Sequence, residues 1–294
     1  MGPRRRENSG VTADFGPEWS ASLRRGSDAE LRGWVDAALG WCDEADLVAL
    51  QHFRRDVAVE RKPDRTFVTI ADRSIEQLVR ARVAEDFPGH GVVGEEFGTE
   101  LGDGTTRWYV DPIDGTHNYI RGVPIFATLL AVERDGELQA AVISAPALRE
   151  RWFAWRGGGA WASGGVRTEP TQIRVSRIAS IADAHVLYTD PVTIRESGSA
   201  PGFEDLLRSA WRGRGFGDFW SYTLLAEGAA EVMAEVDLKP WDAAAPTLLV
   251  EEAGGRVTDF HGRRRIDSRT TLATNGHLHE DVRSTLLGPE ETSR

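Results

Sequence analysis

Apolar positions near the start of the ordered pattern recur at helical spacing. Leu31, Trp34, Val35, Ala38, Leu39 and Trp41 fall on one face and predict a long amphipathic helix from Ser27 to about Phe53. Its first residues, Ser27-Asp28-Ala29-Glu30, have the capping-box form, in which the hydroxyl accepts from the Glu30 amide and Glu30 reaches back. Ile75, Leu78, Val79 and Val83 predict a second helix over 74–85. From Gly91 the period shortens, and apolar runs at 107–110, 125–132 and 140–144 read as strands separated by Gly, Pro and Asp. Further helices are expected over 202–210, 221–233 and 241–253, the last closed by Gly254-Gly255. Helices, then strands, then a mixture of both predict layered α/β elements in place of a repeating βαβ order.

Residues 1–26 mix Gly, Pro, Ser and Arg without period and read as a disordered leader. Nothing after them looks like a flexible linker, so 27–294 are expected to form a single unit of two closely packed subdomains.

Composition narrows the possibilities. Hydrophobic residues at 40% and charged residues at 28% are those of an ordinary globular chain. No apolar run reaches the roughly 18 residues of a membrane-spanning helix, and the arginines near the start are not followed by the apolar stretch of a secretory signal. The single Cys42 excludes an intramolecular disulfide and a cysteine-built metal site, so the expected setting is a reducing cytoplasm. A net charge of −11 argues against a binder of nucleic acid polymers. It leaves room for a small phosphorylated substrate, because a bound cation inverts the local field. Of the ten tryptophans, Trp34, Trp41, Trp152, Trp155, Trp161 and Trp211 are expected in the core, with Trp220 the exception near a pocket.

The densest chemical signal is Val110-Asp111-Pro112-Ile113-Asp114-Gly115-Thr116. Two carboxylates stand three residues apart, with a proline expected to turn the chain between them. Asp111, Asp114 and the Ile113 carbonyl would offer three oxygens to one side, and oxygen donors without His or Cys favour a hard cation such as Mg²⁺. The amides of Gly115 and Thr116 would open the next turn toward an anion. The same residues also suit a plain Asp-rich β-turn. Further carboxylates stand at Gly94-Glu95-Glu96, Thr69-Ile70-Ala71-Asp72 and Trp241-Asp242. Taken singly, Asp72 and Asp242 read equally well as helix N-caps and Glu95 as a solvated turn residue.

Taken together, Gly94-Glu95-Glu96, the 111–116 segment, Trp241-Asp242-Ala243-Ala244-Ala245 and Glu251-Glu252-Ala253-Gly254-Gly255 resemble the inositol monophosphatase superfamily over about residues 28–287. The resemblance implies an αβαβα sandwich and Mg²⁺-dependent phosphomonoester hydrolysis with two or three ions. Carried over residue by residue, it implies that Glu95, Asp111, the Ile113 carbonyl, Asp114 and Asp242 hold the metals. Glu95 and Thr116 would activate water, with Asp72 behind Thr116, and the Gly115 and Thr116 amides would bind the phosphoryl oxygens. Lys62, in Arg61-Lys62-Pro63-Asp64, matches a lysine near the family's site. Relatives are commonly dimers, so a homodimer is expected on the same ground.

Longer stretches resemble the histidinol-phosphate phosphatase branch. These are Gly94-Glu95-Glu96-Phe97-Gly98, Tyr119-Ile120-Arg121-Gly122-Val123-Pro124 and Gly217-Asp218-Phe219-Trp220-Ser221-Tyr222. L-histidinol phosphate carries an ammonium and an imidazole, so its pocket needs acceptors. Asp218 and Glu235 are the candidates. The alternatives are an N-cap for Asp218 and an ordinary polar strand position for Glu235. His117 departs from the branch, which often has Lys or Arg there, and is a candidate for substrate or phosphate contact. Inositol phosphate, a sugar phosphate or a nucleotide bisphosphate are alternative esters, and a catalytically silent scaffold is the non-enzymatic alternative.

Overall fold

The computed structural model describes residues 28–55, 59–61 and 67–288; the expected leader, Ser27 and Lys62 lie outside the described residues. In chain order come α1 (Asp28–His52), strands β1 (Val59–Arg61) and β2 (Phe67–Thr69), α2 (Ile70–Asp86), β3 (Gly91–Gly94), β4 (Gly98–Glu100) and β5 (Thr106–Asp114). The short helix α3 (Thr116–Ile120) precedes β6 (Ala127–Arg134), β7 (Glu137–Ala145), β8 (Glu150–Trp155), β9 (Gly159–Gly164) and β10 (Thr171–Ile173). Then follow β11 (His185–Tyr188), α4 (Pro191–Ser197), α5 (Phe203–Ser209), β12 (Arg212–Arg214) and α6 (Asp218–Ala226). The chain continues through β13 (Val232–Val236), α7 (Pro240–Glu252), β14 (Arg256–Thr258), β15 (Thr270–Thr274) and α8 (His279–Leu287).

Five layers result. Helices α1 and α2 cover one face of an eight-stranded sheet of order β10-β9-β8-β7-β6-β5-β3-β4. Helices α6 and α7 cover its other face and separate it from a five-stranded sheet of order β12-β11-β13-β15-β14. Helices α4, α5 and α8 close the outer side. This is the expected αβαβα sandwich.

The strand runs look continuously apolar because both faces are covered. Side chains alternate across the pleat. Trp108 and Val110 therefore enter the core under α1 and α2, while Tyr109 enters the core under α7. Leu130 and Val132 divide in the same way from Leu129 and Ala131. Helix α7 is buried at every position from Ala243 to Val250, as its place between two sheets requires.

Several boundaries differ from expectation. Helix α2 starts four residues early, because the Thr69 hydroxyl accepts from the Ala71 amide and Asp72 reaches back to the Thr69 amide. The helix expected over 221–233 stops at Ala226. Gly228, at φ +77°, lets the chain reverse, and Met233 belongs to β13. Trp34, Trp41 and Trp152 are core residues as expected, whereas Trp211 is 65% exposed beside the edge strand β12. His279, the first residue of α8, is fully buried. Among the described residues, no helix is long and apolar enough to cross a membrane.

Candidate active site

The carboxylates gather where β5 ends against the first turns of α6 and α7. Pro112 does not turn the chain as expected; β5 continues through it to Asp114. Its register against β6 passes from Asp111–Leu129 to Asp114–Ala127, which leaves one extra residue on β5. This is a β-bulge, a device that re-aims side chains at a strand end. Proline is tolerated there because the ladder already lacks a bond. The Thr128 hydroxyl donates to the Pro112 carbonyl at 2.8 Å, and the Ile113 amide donates to Asp111 Oδ1 at 3.0 Å. The turn follows at Gly115, whose φ of +80° and closeness to the Ile125 carbonyl suit glycine.

Helices deliver the other acids. Asp72 and Asp242 each sit at the third position of a helix and accept the backbone amide of the residue before it, Thr69 and Lys239, both at 2.8 Å. The simple N-cap reading is therefore corrected for both, because each reaches back from inside its helix. Asp114 Oδ2 accepts the Phe219 amide at 2.6 Å, at the start of α6. Glu95 lies in the turn between β3 and β4, its amide on the Val110 carbonyl at 3.2 Å.

These groups oppose one another's ionisation. Burial first, then the charges of Glu95, Asp114, Asp242 and Asp72, hold Asp111 well above the usual carboxylate range. Asp114 is raised by burial and by Asp218 and Asp242, against the Phe219 amide. Asp72 is raised to about 6 by burial, with Glu95 adding to the rise. Asp242 is raised chiefly by burial, with the charge of Glu95 adding to the rise and the Lys239 amide opposing it.

A small cavity of about 100 Å³ opens beside this cluster and brings together Asp114, Asp218, Glu235 and Asp242 with Phe219 and Tyr222. Glu235 is buried on β13, accepts from the Tyr222 hydroxyl at 2.8 Å and from the Thr189 hydroxyl, and is pushed up to about 8, mainly by burial. It is no ordinary polar strand position. Asp218 is not an N-cap either: Gly217 holds that place, and Asp218 is the first helical residue at φ +49°. Such a backbone is uncommon outside glycine and marks local strain. Asn118 Nδ2 donates to Asp218 Oδ2 at 3.4 Å, and His117 supplies the charge that opposes the upward shift of Asp218.

Thr116, Asp72, His117 and Trp220 lie outside the lining of the small cavity. The Thr116 hydroxyl donates to the Ile113 carbonyl at 2.9 Å, while Asp72 Oδ2 accepts from the Thr69 amide and hydroxyl, so their hydrogen bonds run to different partners. His117 is exposed and meets Phe67 edge-on at 5.3 Å. Trp220 packs on Phe216 and does not line the cavity. Tyr222 and Thr189 were missed by sequence reasoning. Tyr222 stands one helical turn after Asp218, a signal that could have found it; Thr189 offers none.

The donor set fits a hard cation. Asp72 Oδ1 is buried without a hydrogen-bond partner, and the donors that face one another are oxygens. Among the described residues no three acidic, His or Cys side chains are gathered tightly enough to cage an ion alone. Mg²⁺ does not require a cage: it keeps several waters and takes one or two carboxylates together with substrate phosphate.

Comparison with known proteins places the chain in a family. The model of the inositol monophosphatase family matches residues 30–287. A histidinol-phosphatase of Streptomyces coelicolor is 42% identical over 245 residues, which cover 82% of this chain and 91% of the relative. Another, from Mycobacterium tuberculosis, is 43% identical over 247 residues, covering 83% and 94%. The solved structure of a Thermotoga maritima IMPase superposes with a TM-score of 0.77 at 29% identity, covering 86% of this chain and 96% of that one. With its family model, sequence and fold all matching, the chain belongs to the inositol monophosphatase family.

Proposed function

We propose that this protein is a Mg²⁺-dependent phosphatase that hydrolyses L-histidinol phosphate to L-histidinol and phosphate in histidine biosynthesis. The observation that carries the reading is the acidic cavity itself, where Asp218 and Glu235 stand beside the oxygen cluster. The two histidinol-phosphatase relatives support the same substrate.

Glu95, Asp111, the Ile113 carbonyl, Asp114 and Asp242 would hold two or three Mg²⁺ ions. Bound there, the metal supplies Lewis acidity and a water of lowered pKa. The chain's own part is positional and electrostatic. Glu95 accepts the proton of the attacking water, and the Thr116 hydroxyl, whose proton is committed to the Ile113 carbonyl, offers its lone pair to the same water. Asp72 acts on this pair through its charge, given that its hydrogen bonds run to Thr69. The Gly115 and Thr116 amides take phosphoryl oxygens. Asp218 and Glu235 accept from the ammonium and imidazole of the substrate. His117 meets the substrate near Asp218, and Lys62, which lies outside the described residues, assists phosphate binding.

The partner is a small phosphorylated substrate in the cytoplasm, without a nucleic acid polymer or a membrane. A homodimer is part of the reading, supported by the exposed Trp211 and Phe216 flanking edge strand β12. The deciding experiment is phosphate release in Mg²⁺ buffer from L-histidinol phosphate, beside myo-inositol 1-phosphate, fructose 1,6-bisphosphate and adenosine 3′,5′-bisphosphate. Preference for histidinol phosphate is expected. Preference for another ester overturns the substrate assignment and leaves the metal chemistry standing.

A further inference from the structure

Glu76 lies on α2, one helical turn beyond Asp72, and its side chain is fully buried. A buried carboxylate needs partners, and this one finds them in the loop that carries Glu95. Oε2 accepts the Glu96 amide at 2.6 Å, and Oε1 accepts the Phe97 amide at 3.1 Å. Arg80, one turn further along α2, pairs with Oε1 at 2.8 Å. The same guanidinium donates to the Gly98 carbonyl and reaches Glu100 Oε2 at 3.3 Å. One ion pair on one helix therefore holds the β3–β4 turn from residue 96 to residue 100.

Gly94 shows how closely the two elements fit. A Cβ there would lie 2.0 Å from Glu76 Oε1 and 2.8 Å from Oε2. The carboxylate occupies the space a side chain would fill, which gives a steric reason for glycine ahead of Glu95. Glu95 is thus set between two fixed neighbours, with its own amide on the Val110 carbonyl.

We infer that Glu76, locked by Arg80, is a positioning residue for Glu95: it fixes the backbone on both sides of that carboxylate, and α2 thereby places Asp72 and Glu95 together. The inference rests on the reading of Glu95 as a metal-holding, water-activating group. It extends that reading to residues outside the site, which touch neither substrate nor metal.

Glu76→Gln is the first test. It keeps the shape but turns an N–H donor toward backbone donors, so at least one loop bond is lost. Amide hydrogen exchange at Glu96 and Phe97 is expected to quicken about tenfold, with the middle of α2 unchanged. Mg²⁺ affinity measured by calorimetry without substrate, and kcat, are expected to fall about 10- to 100-fold while KM changes little. Gly94→Ala, which presses on the same carboxylate without removing charge, should give the same pattern and serves if Glu76→Gln fails to fold. Arg80→Lys, which keeps the charge and loses the fork, should fall between them and the wild type.

Unchanged exchange at Glu96 and Phe97 in a folded variant overturns the clamp. Faster exchange with wild-type Mg²⁺ affinity and kcat overturns the positioning role. Glu95→Gln, run beside them, separates the two readings. If it retains Mg²⁺ affinity and turnover, the role of Glu95 is wrong. If it is inactive while Glu76→Gln is normal, only the clamp is wrong.

Discussion

Tyr222 donates its hydroxyl to Glu235 Oε2 at 2.8 Å across the small cavity, joining α6 to β13 between the two sheets. The Thr189 hydroxyl takes the other oxygen of the same carboxylate. Glu235 is therefore held by two neutral donors, and the charges of Asp218 and Asp242 beside it are negative. An incoming ammonium or imidazolium would supply the missing charge. Glu235→Gln should lower kcat/KM for L-histidinol phosphate by about 10- to 100-fold, the value of a hydrogen bond to a charged group. Phenyl phosphate, which has no cationic group, should lose less than threefold. Asp218→Asn should follow the same pattern. Steady-state kinetics on both esters check this, and equal losses on the two count against the selectivity role.

Asp114 tests the metal site. Asn can keep the bond from the Phe219 amide through its carbonyl oxygen, so the start of α6 should hold. It removes one charge from a cluster whose members raise one another. The metal-free variant should then melt no lower than the wild type. Turnover should fall about 10²-fold or more, as when one preorganised electrostatic partner is removed. Near-normal turnover would remove Asp114 from the site.

Mg²⁺ itself should stabilise the wild type. At a hundred times its Kd, a ligand that binds only the folded state contributes about 2.7 kcal/mol. Thermal unfolding with MgCl₂, against the same buffer with EDTA, should give a higher Tm, and the gain should shrink in Asp111→Asn and Asp242→Asn. A gain equal in all three proteins would place the ion elsewhere.

Much of the site was legible because its residues lie in short segments that together resemble the family, although each alone also read as a cap or turn residue. Asp111 and Asp114 stand on one apolar strand, and Trp241-Asp242 opens an apolar helix that had to be buried. The layer order came with the family resemblance, and runs such as 129–132, apolar at every position, agree with a sheet covered on both faces. The bulge at Pro112 was not legible, since proline suits a turn and a bulge alike. Nor was Glu76, whose partners are two amides twenty residues away that carry no side-chain signature. Trp211 read as core because its exposure depends on which strand forms the sheet edge, a property of topology.

That edge leads to a prediction about assembly. Trp211 is 65% and Phe216 37% exposed, on either side of the three-residue strand β12. Exposed edges and aromatic groups are where copies of a chain associate. Light scattering should report a dimer, and Trp211→Glu should shift it toward monomer with its melting temperature retained. A monomeric wild type at micromolar concentration would overturn the homodimer.

His279 sets the last expectation. Thr258 gives its hydroxyl proton to the Asp259 carbonyl at 2.7 Å, so at 2.9 Å its oxygen accepts the Nε2 proton of His279. Nδ1 is then the acceptor, and at 2.9 Å it takes the Thr274 hydroxyl proton. A second ring proton would bring two donors face to face. Burial, aided by the Arg256 charge, pushes the imidazole down to about 3. The unfolded chain binds that proton near pH 6.5 and the folded chain does not. Stability is therefore complete above pH 6.5 and is lost as pH falls toward 3. The loss attributable to this residue is about 2 kcal/mol between pH 7.5 and 5. His279→Gln has no ring to protonate, so it should be less stable at pH 7.5 yet lose about 2 kcal/mol less over that interval. Urea unfolding of both proteins in EDTA at the two pH values measures the difference, and parallel losses would show that the imidazole does not govern it.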